Sequence, residues 1–423
     1  MATLPTLLMQ IGVILAASQL LGALFGRIRQ PQVIGEMVAG IMLGPSFLGW
    51  LAPSLFERLF PPGSLALLAP LSQIGLLLFM FLIGLELNWQ TLRGRGRRTV
   101  VISQAGIFAP LALSLPLAWY LHPRLGQPGV PFLHFALFVG TAMSITAFPV
   151  LARILADRGL VRTPLGALAL AAAAIGDVSG WSLLALVVFL VRAAEATLPV
   201  WLTLVGSLAF VLLMAFAIRP ALRLFAVGYE HFGRVDRRMM ALILLLILAA
   251  GWITERLGIH ALFGAFLLGA MMPRHNALVD TIALKLEDLT VVLLLPIFFA
   301  LIGLQTRLGL VAGWELWLLT GLIIAVAILG KLGGVSLAAR ANGLPWRQAA
   351  GLGLLMNTRG LMELVVLTIG LEIGVLSPTL FTMLVLMALL TTFMTSPLLH
   401  LLGRPAELPN DAVDYSPAPS PGR

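Results

Sequence analysis

Apolar runs of about 20 residues follow one another along nearly the whole of this chain, parted by short segments that carry its arginines. A run of that length crosses the ~30 Å hydrocarbon core of a bilayer as a helix. With no water at that depth, backbone N–H and C=O groups must bond within their own segment, which a helix achieves. An all-α polytopic membrane protein is therefore predicted. Composition agrees: 60% of the 423 residues are hydrophobic and 11% are charged, which excludes a water-soluble domain. Lack of cysteine removes disulfides, thiol catalysis and cysteine metal sites. The net charge of +9 sits in loops between apolar runs, as the positive-inside bias requires, so no nucleic-acid partner is expected.

The pattern predicts thirteen spans, at 5–26, 32–50, 64–87, 99–120, 132–155, 164–191, 198–218, 239–257, 260–273, 289–305, 313–339, 348–371 and 378–402. The start of the chain lacks a basic n-region and its first run ends at Arg27 and Arg29, which reads as a retained helix and not a cleaved signal. With the N-terminus outside, 20 of the 27 Lys and Arg residues fall on the inner side and five (Arg58, Arg124, Arg192, Arg256 and Arg307) on the outer. That asymmetry predicts an N-out, C-in protein of a bacterial inner membrane, in contact with lipid. Residues 404–423, rich in Pro and polar side chains, read as a disordered cytoplasmic tail too short for a nucleotide-binding domain.

Four charged residues interrupt the apolar runs: Asp177 in span 164–191, Lys331 in span 313–339, and Arg359 and Glu363 in span 348–371. A carboxylate at mid-depth costs at least ~2.5 kcal/mol on insertion scales, so Asp177 marks an ion or proton site ahead of a packing role. Lys331 reaches toward mid-depth or snorkels to the interface. Arg359 and Glu363, four residues apart, share a helix face and can form a bracing ion pair. Glu36, Glu86 and His260, near span ends, read as structural or vestibule groups.

Two spans are also broken. Span 132–155 holds Thr141, Ser144, Thr146 and Pro149; Pro149 removes a donor and disfavours helix at Phe148. Span 348–371 holds Asn357, Thr358, Arg359 and Gly360. The two lie seven spans apart, so they run in opposite directions, as in two inverted six-helix repeats joined by span 198–218. Broken segments at matched positions of inverted halves point to a transporter's midplane site.

Seven segments together carry a family likeness: Gln30-P-Q-V-I-G-E-M-V-A-G-I-M-L-G-P-S, G-L-L-L-F-M-F-L-I-G-L-E-L-N, T-A-F-P-V-L-A-R-I-L, A-A-I-G-D-V-S-G-W, G-I-H-A-L-F-G-A-F-L-L-G, L-P-I-F-F-A-L-I-G-L and N-T-R-G-L-M-E-L. Over residues 5–402 the chain resembles the second branch of the monovalent cation:proton antiporters, the Kef-type and Na⁺/H⁺ exchangers. The resemblance implies a core domain (99–191 and 313–402) moving against a dimer domain (5–87 and 239–305), with 198–218 as linker, in a homodimer. It implies that Asp177 binds cation and proton in competition, that the two breaks cross beside it, and that Thr146 contributes, with Ser144 and Thr141 as further hydroxyls. Lys331 matches the family's intramembrane basic residue. Where electrogenic members carry two adjacent acids, this chain has Gly176 before Asp177, so Lys331 lacks its usual partner and either contacts Asp177 or points elsewhere.

The expected function is antiport of Na⁺ or K⁺ against H⁺ by alternating access, electroneutral because one carboxylate carries the exchange, with no cofactor. A potassium efflux pore would show flux uncoupled from protons. A symporter of organic ions would use Arg359 as an anion ligand. An intramembrane enzyme is disfavoured by the lack of HExxH and GxSxG motifs.

Overall fold

The computed structural model describes residues 4–28, 30–61, 63–86, 96–160, 163–193, 200–257, 260–273 and 276–402, and these are almost wholly helical. The expected tail, 404–423, and Glu86's side chain lie outside the described residues. In chain order come α1 (Leu4–Arg27), α2 (Gln32–Leu43), the short α3 (Leu48–Leu51) and α4 (Pro53–Leu59), α5 (Leu65–Glu86), α6 (Arg97–Leu125), α7 (Phe132–Ser144), α8 (Phe148–Asp157) and α9 (Pro164–Ala193). α10 runs from Val200–Leu213 through a π turn, Met214–Ile218, into Arg219–Phe232. α11 (Arg237–Arg256) and α12 (Ala261–Met271) follow. α13 joins Asn276–Glu287, a π turn at Asp288–Leu294, and Leu295–Gln305. α14 joins Trp314–Ile328, a π turn at Leu329–Gly333, and Gly334–Ala341. α15 (Trp346–Met356), α16 (Leu361–Glu372) and α17 (Pro378–Leu401) complete the chain.

Among the described residues, eleven helical stretches are long and apolar enough to cross a membrane. Two of the predicted spans differ from that description: 260–273 is the short apolar helix α12, and 348–371 is the pair α15 and α16 with a gap between them. Two stretches read as connections are helical. Residues 219–232 extend α10, and Asn276–Glu287 extends α13, where Lys285 Nζ donates to Val235 O at 2.6 Å. Their charged residues broke the apolar run without breaking the helix.

Helix ends follow local chemistry. Asp236 caps α11, its Oδ1 accepting from Met239 N at 2.8 Å, and Ser377 caps α17 through Leu380 N at 3.3 Å. Gly233 ends α10 in the left-handed conformation, φ 64°.

Burial separates centre from rim. In the Phe132–Ala156 stretch 78% of the apolar window is buried, against 17% in Val205–His231. Helices α1, α10 and α11 therefore present Leu20, Phe216 and Trp252 outward, where acyl chains would cover them. α1, α2, α5, α11, α12 and α13 pack through glycines. A Cβ on Gly40 would lie 2.7 Å from Ala300 Cα, and one on Gly303 would collide with the Gly40 backbone; Gly84 and Gly269 are related in the same way between α5 and α12. Small residues at such points let backbones touch where lipid offers no hydrophobic drive for association. Helices α6–α9 and α14–α17 form the second group, and Trp181 of α9 meets α12 by stacking on Phe266 and edging Phe263.

Candidate functional site

The two sequence breaks meet at the centre of the second group. Between α7 and α8 the chain is non-helical over 145–147; between α15 and α16 it is non-helical over 357–360. The two gaps are stitched together. Ala147 N donates to Thr358 O at 3.0 Å, and Thr146 Oγ1 donates to Met356 O at 3.1 Å. Gly360 fits because Val150 crosses against it: a Cβ there would lie 2.7 Å from Val150 Cγ2.

Each half-helix ends with unsatisfied carbonyls and the negative end of its dipole. The end of α7 is met by two cations. Arg359 Nη1 and Nη2 donate to Ala142 O (3.2 Å) and Met143 O (2.7 Å), and Lys331 Nζ donates to Ser144 O and to Gly106 O (2.8 Å). Among the described residues, the hydrogen bonds to the end of α15 come from neutral side chains: Thr146 on Met356 O, Thr358 Oγ1 on Leu355 O (2.8 Å) and Thr395 Oγ1 on Leu354 O (3.5 Å). Beside that less neutralised end sits Asn357, fully buried, whose amide Oδ1 and Nδ2 make no hydrogen bond among the described residues.

Asp177 lies midway along α9 and is buried, 6% exposed. Ala173, Asp177 and Gly180 share one helix face by their spacing. Ala173 packs in a cluster with Ala147, Val150 and Leu151, and a Cβ on Gly180 would meet Ile145 Cγ1 at 3.2 Å. The face that carries Asp177 is thus laid along the α7–α8 break. α6 fixes this stretch of α9, with Ser103 Oγ donating to Ala172 O (2.7 Å) and Gln104 Nε2 donating to Ser179 Oγ (2.8 Å). A Cβ at Gly176 would stand 3.4 Å from Ser103 Oγ, so the position has room for a first side-chain atom.

Lys331 lies in the π turn of α14, is 1% exposed, and stands within electrostatic reach of Asp177, Arg359 and Glu363. Its hydrogen bonds go to carbonyls of α6 and α7. Arg359 and Glu363 form the expected ion pair at 3.1 Å, both side chains wholly buried.

The hydroxyls separate by role. Thr141 Oγ1 donates to Leu137 O (2.7 Å) within its own helix, and Ser144 Oγ to Gly140 O (2.6 Å) and Ile107 O (2.9 Å); only Thr146 reaches across to the second break. Pro149 does not kink a continuous helix. It stands in the first turn of α8, where a missing N–H leaves nothing unbonded. Thr392 of α17 was not foreseen: it accepts from Arg359 N (2.9 Å) and donates to Arg359 O (2.7 Å), pinning the second break. The signal lay in Thr391, Thr392, Thr395 and Ser396, a polar string inside an apolar run.

The family described as sodium/hydrogen exchanger, transmembrane, matches residues 13–401. The chain is 44% identical over 397 residues to the Na(+)/H(+) antiporter NhaS4 of Synechocystis, covering 94% of this chain and 97% of that protein. It is 41% identical to cation/H(+) antiporter 17 of Arabidopsis thaliana (96% of this chain, 49% of that one) and 34% identical to K(+)/H(+) antiporter 1 of Saccharomyces cerevisiae (93% and 46%). It spans about half the length of these plant and yeast relatives. The sodium proton antiporter MjNhaP1 of Methanocaldococcus jannaschii shares the fold, with a TM-score of 0.62 over 94% of this chain and 98% of that one at 16% identity. With crossed helix breaks, a mid-helix carboxylate and this match over nearly its whole length, the chain belongs to the sodium/hydrogen exchanger family.

Proposed function

We propose that the protein exchanges a monovalent cation, Na⁺ or K⁺, for H⁺ across a cell membrane, with Asp177 as the shared binding group. The observation that carries this reading is the placement of one buried carboxylate on the α9 face that lies along the crossed breaks. Asp177, the Thr146 hydroxyl oxygen and the unbonded Asn357 amide oxygen supply hard oxygen ligands of the kind that suits both cations. Thr146 and Asn357 stand at the end of α15, where no cationic donor is found among the described residues, and Asp177 faces the neighbouring break. Lys331 and Arg359 hold the other half-helix end and keep the positive charge of the site fixed in place.

Proton and cation exclude each other because each neutralises the same carboxylate. The loaded, neutral site crosses the low-dielectric barrier; the empty, charged site does not. With Gly176 in place of a second acid, the exchange carries one positive charge each way and is electroneutral. In this reading the N-terminus is outside and the C-terminus cytoplasmic. Helices α6–α9 and α14–α17 move as a core against α1, α2, α5 and α11–α13, through which two copies associate.

Proton flux in proteoliposomes, driven by Na⁺, K⁺ or Li⁺ gradients with the membrane potential clamped or free, tests this reading. Wild-type protein is expected to give coupled flux insensitive to potential, and Asp177→Asn to abolish it. Substantial cation-coupled proton flux in Asp177→Asn refutes the assignment of Asp177; potential-dependent flux in the wild type refutes electroneutrality.

A further inference from the structure

An apolar groove of about 450 Å³ runs between the second half of α10 and the start of α11. Its walls include Ile218, Leu222, Leu224 and Phe225 from α10 and Leu242 and Leu246 from α11, with Arg238 at one end. Leu224 and Leu242 are 71% and 46% exposed, so the groove opens onto the outer surface of the helix bundle. From Arg238 to Leu246 it follows α11 for about 12 Å.

The charge around that end is lopsided. Arg219, Arg223, Arg234, Arg237 and Arg238 fall within 20 residues that hold two acids, Glu230 and Asp236. All five arginines are exposed, and none is engaged in a hydrogen bond or ion pair among the described residues. Asp236 offers them little, since its carboxylate caps α11.

We propose that this groove binds an anionic phospholipid of the surrounding bilayer, one acyl chain against the apolar walls and the phosphate headgroup at Arg238. An apolar trough ending in unneutralised arginines matches an amphiphile with a negative head; basic pockets between membrane helices take such headgroups. A zwitterionic lipid leaves the cluster uncompensated. A second copy is the poorer fit, because a two-fold contact through this patch sets the five arginines against their own images. The inference is independent of the transport reading and is tested without measuring transport.

The full chain, purified in detergent, is titrated with palmitoyl-oleoyl phosphatidylglycerol or the matching phosphatidylcholine, and bound lipid is counted by native mass spectrometry. Phosphatidylglycerol is expected to bind more tightly. Arg238→Gln is expected to weaken it about fivefold, the effect of one arginine near an anionic head, while Arg238→Lys keeps most of the binding. Ala221→Trp, which fills the groove from its wall, is expected to weaken both lipids. Equal binding of the two lipids, or wild-type phosphatidylglycerol binding by Arg238→Gln, overturns the proposal. So does an Ala221→Trp variant that becomes monomeric while retaining its lipid, which assigns the groove to a second copy.

Discussion

Arg359→Met is the most informative single change to the scaffold of the site. The guanidinium holds Glu363 at 3.1 Å and the last carbonyls of α7 at 3.2 and 2.7 Å, and the pair has no access to solvent. Removing it strands a buried carboxylate, which costs about 3–5 kcal/mol. Glu363→Leu leaves Arg359 with two carbonyl acceptors and lies at the low end of that range. The double variant Arg359→Met/Glu363→Leu leaves no buried charge at these two positions; its residual loss is the donors to two carbonyl acceptors, about 1–2 kcal/mol each. The double is therefore expected to fall about 4 kcal/mol short of the sum of the singles. The assay is reversible unfolding of the full chain in mixed detergent micelles for all four members of the cycle. Additivity to within about 0.5 kcal/mol would show that the pair is not a coupled unit and would refute the reasoning.

Lys331→Gln removes a charged donor from Ser144 O and Gly106 O; a loss of about 1.5–3 kcal/mol is expected in the same unfolding assay, and an unchanged stability argues that those bonds are not made. Gly360→Ala, which brings a Cβ against Val150, is expected to destabilise by about 1–3 kcal/mol and to be rescued by Val150→Ala; failure of the rescue places the strain elsewhere. If proton and cation share Asp177, the apparent KM for Na⁺ or K⁺ rises as pH falls, approaching about tenfold per pH unit once the carboxylate is mostly protonated. A pH-independent KM with a falling maximal rate counts against a shared site.

Much of this arrangement was legible because bilayer depth makes polar residues expensive. Asp177, Lys331, Arg359 and Glu363 stand out of their apolar runs for that reason, as do the Asn357–Gly360 break and the hydroxyls before Pro149. What could not be read is where side chains meet backbone. The acceptors of Lys331 and Arg359 are carbonyls of α6 and α7, and a carbonyl has no letter in a sequence. For the same reason the unequal treatment of the two half-helix ends emerges only in three dimensions. In residues 219–232 and 276–287 charge ends the apolar run but not the helix, so a reading by hydrophobicity stops short of where the helix does.

The glycine contacts between α2 and α13 fix what may slide. A slip of one residue along that joint, 1.5 Å, would carry a side chain into a place where Gly40 and Gly303 leave room only for hydrogen. The joint is keyed in register, with no smooth path to a neighbouring setting. Where α2 faces the second break, by contrast, Val33, Ile34 and Met37 line a small gap together with Val150, Leu389 and Thr392, side chains that can change rotamer. Were the crossing to shift against α2, that seam and not the keyed joint is where side chains could yield, and Gly40→Ala or Gly303→Ala would disturb the joint itself.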